Sequence, residues 1–230
     1  MSERLDGDDA RERVRATYRA YAADDRKRRT WNAQNPGNVI MRAEVLERIL
    51  EETEAQRAAG ADVLDVGCGG GWWLARLAGA GIAAERLHGV DLIAERFERA
   101  RAAVPGAGVE VADATALPFE DARFGVVLLL TTLSSAGDPP RRRELLMEAR
   151  RVLAPGGVLI VYEPRWPNPR NRSTQRIARG ELRAREGDEV SHEAITLMPP
   201  LARRLGERGR RLARVHVLRS HRLTVIRAPS

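Results

Sequence analysis

Three glycines and two aspartates carry the clearest chemistry in this chain. Gly67, Gly69 and Gly71 fall in one short turn, Gly67-Cys68-Gly69-Gly70-Gly71. Bare backbone of this kind lets a ligand come close to the chain. A helix starting directly after the turn aims its positive end at the same spot, which favours a carboxylate or a phosphate. Asp91 lies 24 residues after Gly67, and a carboxylate so placed can accept hydrogen bonds from both hydroxyls of a ribose. Asp113 offers an acceptor for an adenine amino group. Taken together these groups suit an adenosine-like ligand. Taken alone, the glycines are equally a tight turn in any α/β domain. The G-x-G-x-x-G pattern of dinucleotide folds needs glycine at position 72, where the chain has Trp72, which favours a nucleoside without pyrophosphate. No G-x-x-x-x-G-K-[ST] run is present, which speaks against nucleotide hydrolysis.

Such groups need a scaffold that brings distant loops to one edge. Val63, Leu64 and Val66 form a short apolar run that ends in the glycine turn, and a helix through Leu74, Leu77 and Ala78 follows. Residues 87–90 form a second run ending at Asp91, then a helix with Ile93, Phe97, Ala100 and Val104 on one stripe. Residues 109–111 form a third run, ending near Asp113. Residues 124–131 are continuously apolar, the mark of a strand covered on both faces. Asp138-Pro139-Pro140 opens a helix with Asp as N-cap, and residues 158–162 form the next strand. Alternating strands and helices predict a doubly wound α/β sheet, with ligands beyond the carboxyl ends of its strands. Upstream, residues 11–23 read as a short helix and 39–58 as an amphipathic one. Downstream the pattern predicts a helix near 174–185, a strand near 189–198, an arginine-rich helix near 201–214 and a last strand around 216–226. The expected organisation is a helical cap or lid over 1–58 and an α/β domain over 59–230, with a helical insertion at about 199–214.

Four segments in order carry a family resemblance. Residues 63–71, reading VLDVGCGGG, resemble the signature loop of class I S-adenosylmethionine-dependent methyltransferases. Gly89-Val90-Asp91-Leu92 resembles the second motif of that family, and residues 112–119, reading ADATALPF, its third. Residues 151–157, RVLAPGG, resemble the segment before its fifth strand. The resemblance implies S-adenosylmethionine as cofactor and a Rossmann-like seven-stranded sheet with an antiparallel last strand. It implies that Gly67, Gly69 and Gly71 line the methionine end, and that Asp65 reaches the ammonium directly or through water. Asp91 would hold the ribose and Asp113 the adenine amino group, with Leu92 and Ala114 beside them. Leu130 and Thr131 would pass close to the sulfonium.

Methyl transfer from a sulfonium is an in-line displacement, and much of its catalysis comes from geometry and exclusion of water. An alcohol acceptor needs a base as well. Glu163, ending the fifth strand, is the first candidate, with a salt bridge to Arg165 as its plain alternative; His192 is the second. Around Glu163 runs Arg165, Trp166, Asn168 and Asn171, a mix of hydrogen-bonding groups and a flat ring that suits a sugar. Tyr18, Tyr21, Trp31 and Asn35 are candidates for an N-terminal lid over the acceptor. These point to O-methylation of a sugar or a glycosylated precursor. Two alternatives stay open: an RNA methyltransferase using Arg26–Arg29 and Arg141–Arg143, and a non-catalytic S-adenosylmethionine-binding partner subunit. Thr131-Thr132-Leu133-Ser134 replaces the Asn/Asp-Pro-Pro-aromatic run of amino-methylating nucleic-acid enzymes. Cys68 sits in the donor loop, which leaves no cysteine nucleophile for pyrimidine methylation, and no acidic residue closes the fourth strand for a metal site.

Composition sets the outer bounds. The chain has 230 residues and a net charge of +7, carried almost wholly by arginine, with Lys27 the sole lysine. Such a bias is the mark of a GC-rich genome on solvated faces, so the charge by itself argues little for nucleic acid. One cysteine excludes an internal disulfide and a multi-cysteine zinc site. With no apolar run of ~18 residues and an acidic, polar start, a cytoplasmic protein without membrane contact is expected. A homodimer stays open.

Overall fold

The computed structural model describes residues 34–166, 175–182, 185–206, 208, 209, 212 and 215–230, together with Glu12, Arg15, Ala16 and Arg19. Those four early residues are helical, in line with the helix expected over 11–23. Helix α1, Pro36–Glu52, opens on Asn35, whose side chain accepts from Gly37 N at 3.0 Å and Asn38 N at 3.4 Å. Asn35 is thus a helix cap, and that contact replaces the lid role expected of it. The helix expected over 39–58 is interrupted at Thr53, whose hydroxyl bonds back to Ile49 O at 2.6 Å, and α2 (Glu54–Ala58) follows. Back-bonding of this kind bends or ends a helix.

The sheet has seven strands: β1 Val63–Val66, β2 Leu87–Asp91, β3 Gly108–Val111, β4 Phe124–Leu130, β5 Leu153–Pro164, β6 Glu189–Leu197 and β7 Arg219–Arg227. Their spatial order is β3-β2-β1-β4-β5-β7-β6. Pairings from β3 to β5 are parallel, while β7 runs antiparallel to both β5 and β6. The chain reverses its winding between β1 and β4, so the loops after these strands part there and leave a crevice. On one face Leu64, Val127, Leu129 and Val161 pack with Leu145 and Ala149 of α5, Pro139–Arg151. On the other, Val63, Leu128 and Ile160 meet Val45 and Ile49 of α1, Leu74 and Leu77 of α3 (Trp72–Gly79) and Ala100 of α4 (Ala94–Ala103). Burying each such side chain contributes roughly 1.5–3 kcal/mol.

Two expected elements differ. No helix forms over the described residues of 174–185; a 3-10 turn, Arg179–Glu181, stands there instead. Ile177 and Leu182 both enter the core, and their spacing of five residues does not fit one helix face. The arginine-rich helix is shorter than expected: α6 spans Pro199–Leu205 and stops at Gly206, whose φ is +51°. It crosses α1 closely, for a Cβ on Gly37 would lie 2.3 Å from the Ala202 backbone. The last strand starts at Arg219, after a 3-10 turn over His216–Leu218.

Candidate donor-binding cleft

The crevice is a cleft of ≈ 230 Å³ bounded by the loops after β1, β2, β3 and β4. Gly67, Asp91, Leu92, Asp113, Ala114, Leu130 and Thr131 line it together, bringing seven of the expected residues to one place. Asp65, Gly69 and Gly71 stand behind this surface and shape it.

The glycine turn is held from below. Gly67 N and Cys68 N both donate to Val90 O, at 2.7 and 3.0 Å, which ties the turn to β2. Gly67 has φ +79°, and a Cβ there would meet the Thr132 side chain at 2.9 Å. Gly71 has φ +76°, and its Cβ would lie 2.9 Å from Ala100 Cα, so the backbone crossing leaves no room for a side chain. Cys68 is buried, and burial pushes its thiol well above its ordinary range.

Asp91 is braced at both oxygens. Oδ2 accepts from Gly69 N and Oδ1 from Ile93 N, each at 2.9 Å, while the Arg96 guanidinium stands 3.6 Å from Oδ2. The turn and the β2 carboxylate are therefore one rigid unit. Asp113 is likewise anchored: Oδ1 accepts from Thr115 N at 3.0 Å, Thr115 Oγ1 at 2.9 Å and Arg141 NH2 at 2.7 Å. Arg96 and Arg141 both line the cleft; sequence reasoning missed Arg96 and named Arg141 only for the RNA alternative. Arg141 had one legible signal, its place in the first turn of the helix capped by Asp138, which accepts from Arg141 N at 3.0 Å.

Asp65 lies on β1 beneath the glycine turn. It is 1% exposed, and its Oδ2 is buried without a hydrogen-bond partner. Burial, then the nearby Asp91 charge, pushes its carboxyl up to about 7. A buried acceptor beside a second carboxylate calls for a cation. The amino-acid ammonium of S-adenosylmethionine meets that demand, and the glycines leave backbone bare for the rest of its tail.

The fourth wall is the loop after β4. Thr131 adopts φ +63°, a conformation strained for a β-branched residue, and its N donates to Tyr162 O at 2.8 Å. Thr132 Oγ1 donates to Val66 O at 2.7 Å. Glu163 fixes the next turn: its Oε1 accepts from Leu133 N at 2.7 Å and its Oε2 from Ser134 N at 3.2 Å. At 2% exposure it does not line the cleft, and burial pushes its carboxyl up to about 8. Both oxygens are turned to backbone donors, so the structure makes Glu163 a brace for this wall where a base was expected. Arg165 does not pair with it; the guanidinium binds His216 O at 3.1 Å and Arg219 O at 2.9 Å.

His192 also falls elsewhere. It pairs in register with Thr224 on β7, level with Val161, and its Nδ1 bonds Thr224 Oγ1 at 2.9 Å. With β6 three strands from β4, roughly 14 Å away, it does not reach the cleft. Trp166 is half-exposed beyond the end of β5, with the Arg165 guanidinium 5.3 Å from its ring centre. Tyr18, Tyr21, Trp31, Asn168 and Asn171 lie outside the described residues.

Comparisons with known proteins bear on the domain and the fold. Residues 63–157 match a family model described as a methyltransferase domain. A stretch of 110 residues is 39% identical to an uncharacterized 37.1 kDa protein in transposon TN4556 of Streptomyces fradiae; it spans 46% of this chain and 31% of that protein. The PH0226 protein of Pyrococcus horikoshii superposes with a TM-score of 0.60 at 22% identity, over 86% of this chain and 93% of its own. An S-adenosylmethionine-dependent methyltransferase of Mesorhizobium loti does so at 0.53 and 23% identity, over 76% and 97%. The [4+2]-cyclase SpnF shares the fold at 0.57 and 21% identity, over 80% of each chain. Residues 63–157 thus match a methyltransferase domain, and the sheet has the fold seen in S-adenosylmethionine-dependent methyltransferases.

Proposed function

We propose that the chain is an active methyltransferase that takes S-adenosylmethionine in this cleft and methylates a small molecule, through a hydroxyl of a sugar or a glycosylated precursor whose proton leaves to solvent, since neither Glu163 nor His192 lines the cleft. The observation that carries the donor half is the orphaned Oδ2 of Asp65 beneath a turn that Asp91 locks in place. When bound, the cofactor supplies an electrophilic methyl group on a sulfonium. The residues of the chain bind and orient. Asp65 takes the ammonium, Asp91 the ribose hydroxyls and Asp113 the adenine amino group. Leu130 and Thr131 close the floor at the end of β4, and the Glu163 brace keeps that wall from shifting. Preorganisation of this kind acts through near-attack geometry and exclusion of water.

For the acceptor, the support is the rim beyond β5, where Trp166 presents a half-exposed ring beside the Arg165 guanidinium. A ring face with a neighbouring donor suits the C–H face and hydroxyls of a sugar. The test is direct: incubate the protein with methyl-labelled S-adenosylmethionine and a panel of free sugars, nucleotide sugars and glycosylated small molecules. Label should pass to a hydroxyl-bearing member of the panel. Transfer to none of them, with the donor bound, removes the sugar reading. Among the described residues no helix is long and apolar enough to cross a membrane.

A further inference from the structure

The connection between β5 and β6 is sharply uneven in charge. Between Pro164 and Glu189 it holds seven arginines and three acidic residues, Glu181, Glu186 and Asp188, the last of them paired with Arg150. The structure turns the Glu181 carboxylate inward: it accepts from Arg142 Nε and from Ala178 N, each at 2.9 Å. Among the described residues, Arg165, Arg176, Arg179 and Arg222 lie near one another at the carboxyl edge of the sheet. Arg222 on β7 stands opposite Glu163 in register and donates to Ile177 O at 3.4 Å, which brings its guanidinium to the chain between Arg176 and Arg179. Arg165 leaves β5 two residues beyond Glu163. Arg176 and Arg179 are exposed, while Arg165 and Arg222 are half-buried.

These charges feel one another. Burial lowers the Arg222 guanidinium from its ordinary value, and Arg179, Arg165 and Arg176 lower it further. Arg165 is lowered by burial and by Arg179 and Arg219, and His192 by burial and by Arg179 and Arg222. Among the described residues none of Arg165, Arg176, Arg179 and Arg222 pairs with a carboxylate. A merely solvated face spreads such charges into water; here Arg165 and Arg222 are half-buried residues with their side chains tied to backbone carbonyls. Clustered cations without a counter-charge are unfavourable, and an anion with several acceptor oxygens relieves them all at once.

We propose that Arg165, Arg176, Arg179 and Arg222 form a phosphate-binding site for an acceptor that carries a phosphate or diphosphate group. The site stands two strand spacings from β4, roughly 10 Å, a span that a phosphorylated sugar or nucleotide covers. Assigning the anion to the acceptor rests on the methyltransferase reading; binding of the anion does not. The acceptor must then come from a reaction that installs a phosphate ester, such as a kinase or nucleotidyl transfer.

The test is calorimetric titration of the full chain with inorganic pyrophosphate, with S-adenosylhomocysteine titrated separately into each variant. Arg176→Ala/Arg179→Ala removes two exposed arginines from the cluster, and Arg99→Ala/Arg143→Ala removes two exposed arginines elsewhere. The first pair should weaken pyrophosphate about tenfold or more and the second less than about twofold, with S-adenosylhomocysteine unchanged in both. Equal weakening by the two pairs, or no pyrophosphate binding to the wild type, overturns the proposal. A structured RNA that binds the cluster far more tightly than pyrophosphate, with a steep salt dependence, also overturns it, since the surface then serves nucleic acid. Failure of S-adenosylhomocysteine to bind, with pyrophosphate intact, sinks the donor reading and leaves the anion site standing.

Discussion

At the scale of single residues, Asp65 makes the sharpest claim. Its carboxyl rises from an ordinary 3.8 to about 7 because burial and the Asp91 charge disfavour ionisation. The folded chain therefore holds a proton that the unfolded chain releases between those values. The contribution of Asp65 to stability is full below 3.8 and is lost as pH rises through about 7. A cation bound against Asp65 reverses the preference. S-Adenosylmethionine should then release a proton on binding at pH 6, visible as a dependence of the calorimetric heat on buffer ionisation enthalpy, and bind more tightly at pH 8. In Asp65→Asn both effects should vanish; a wild-type affinity flat from pH 6 to 8 counts against the ammonium contact. Asp91 was legible in sequence because it ends a strand and Asp113 because it closely follows one, while Asp65, inside β1, was legible only through the family resemblance. Arg96 was not, since in a chain so rich in arginine nothing marks which guanidinium folds back onto a given carboxylate, and Arg141 showed only its place in the first turn of a capped helix.

At the scale of elements, the loop after β4 depends on Glu163. Glu163→Gln keeps one acceptor oxygen and turns an NH2 group toward the second backbone N–H. Its loss should destabilise the fold by about 1–3 kcal/mol and weaken S-adenosylhomocysteine binding through the displaced wall. A melting temperature and affinity both equal to wild type contradict the brace. Gly71→Ala should destabilise by about 1–3 kcal/mol, because φ +76° and the Ala100 backbone act together; unfolding in urea measures it. Sequence patterning found every strand, since apolar runs bounded by turns survive in any context. It overextended the helices near 174–185 and 201–214, where Ile177, Leu182 and Gly206 answer to tertiary packing. It also set Glu163 as a base on strand position and His192 on its titration range, and neither says what a side chain is bonded to.

At the scale of the whole molecule, the sheet order places the glycine turn, Asp91, Asp113 and the end of β4 at one switch point. The fold by itself does not decide chemistry, as the cyclase that shares it makes plain; the site has to. Binding that favours the folded state adds RT ln(1 + [L]/Kd), about 2.7 kcal/mol at a hundredfold excess over Kd, so S-adenosylhomocysteine should raise the melting temperature by several degrees. An unchanged melt under saturating ligand argues that the cleft does not close on a nucleoside.

The most direct measurement is a calorimetric titration of S-adenosylhomocysteine into the wild-type chain and into Asp91→Ala. A single stoichiometric site is expected in the wild type, weakened in the variant by about 1.5–3 kcal/mol, the range for hydrogen bonds to a charged group. Absence of binding to the wild type, or equal affinity in the two proteins, contradicts a nucleoside site built on Asp91.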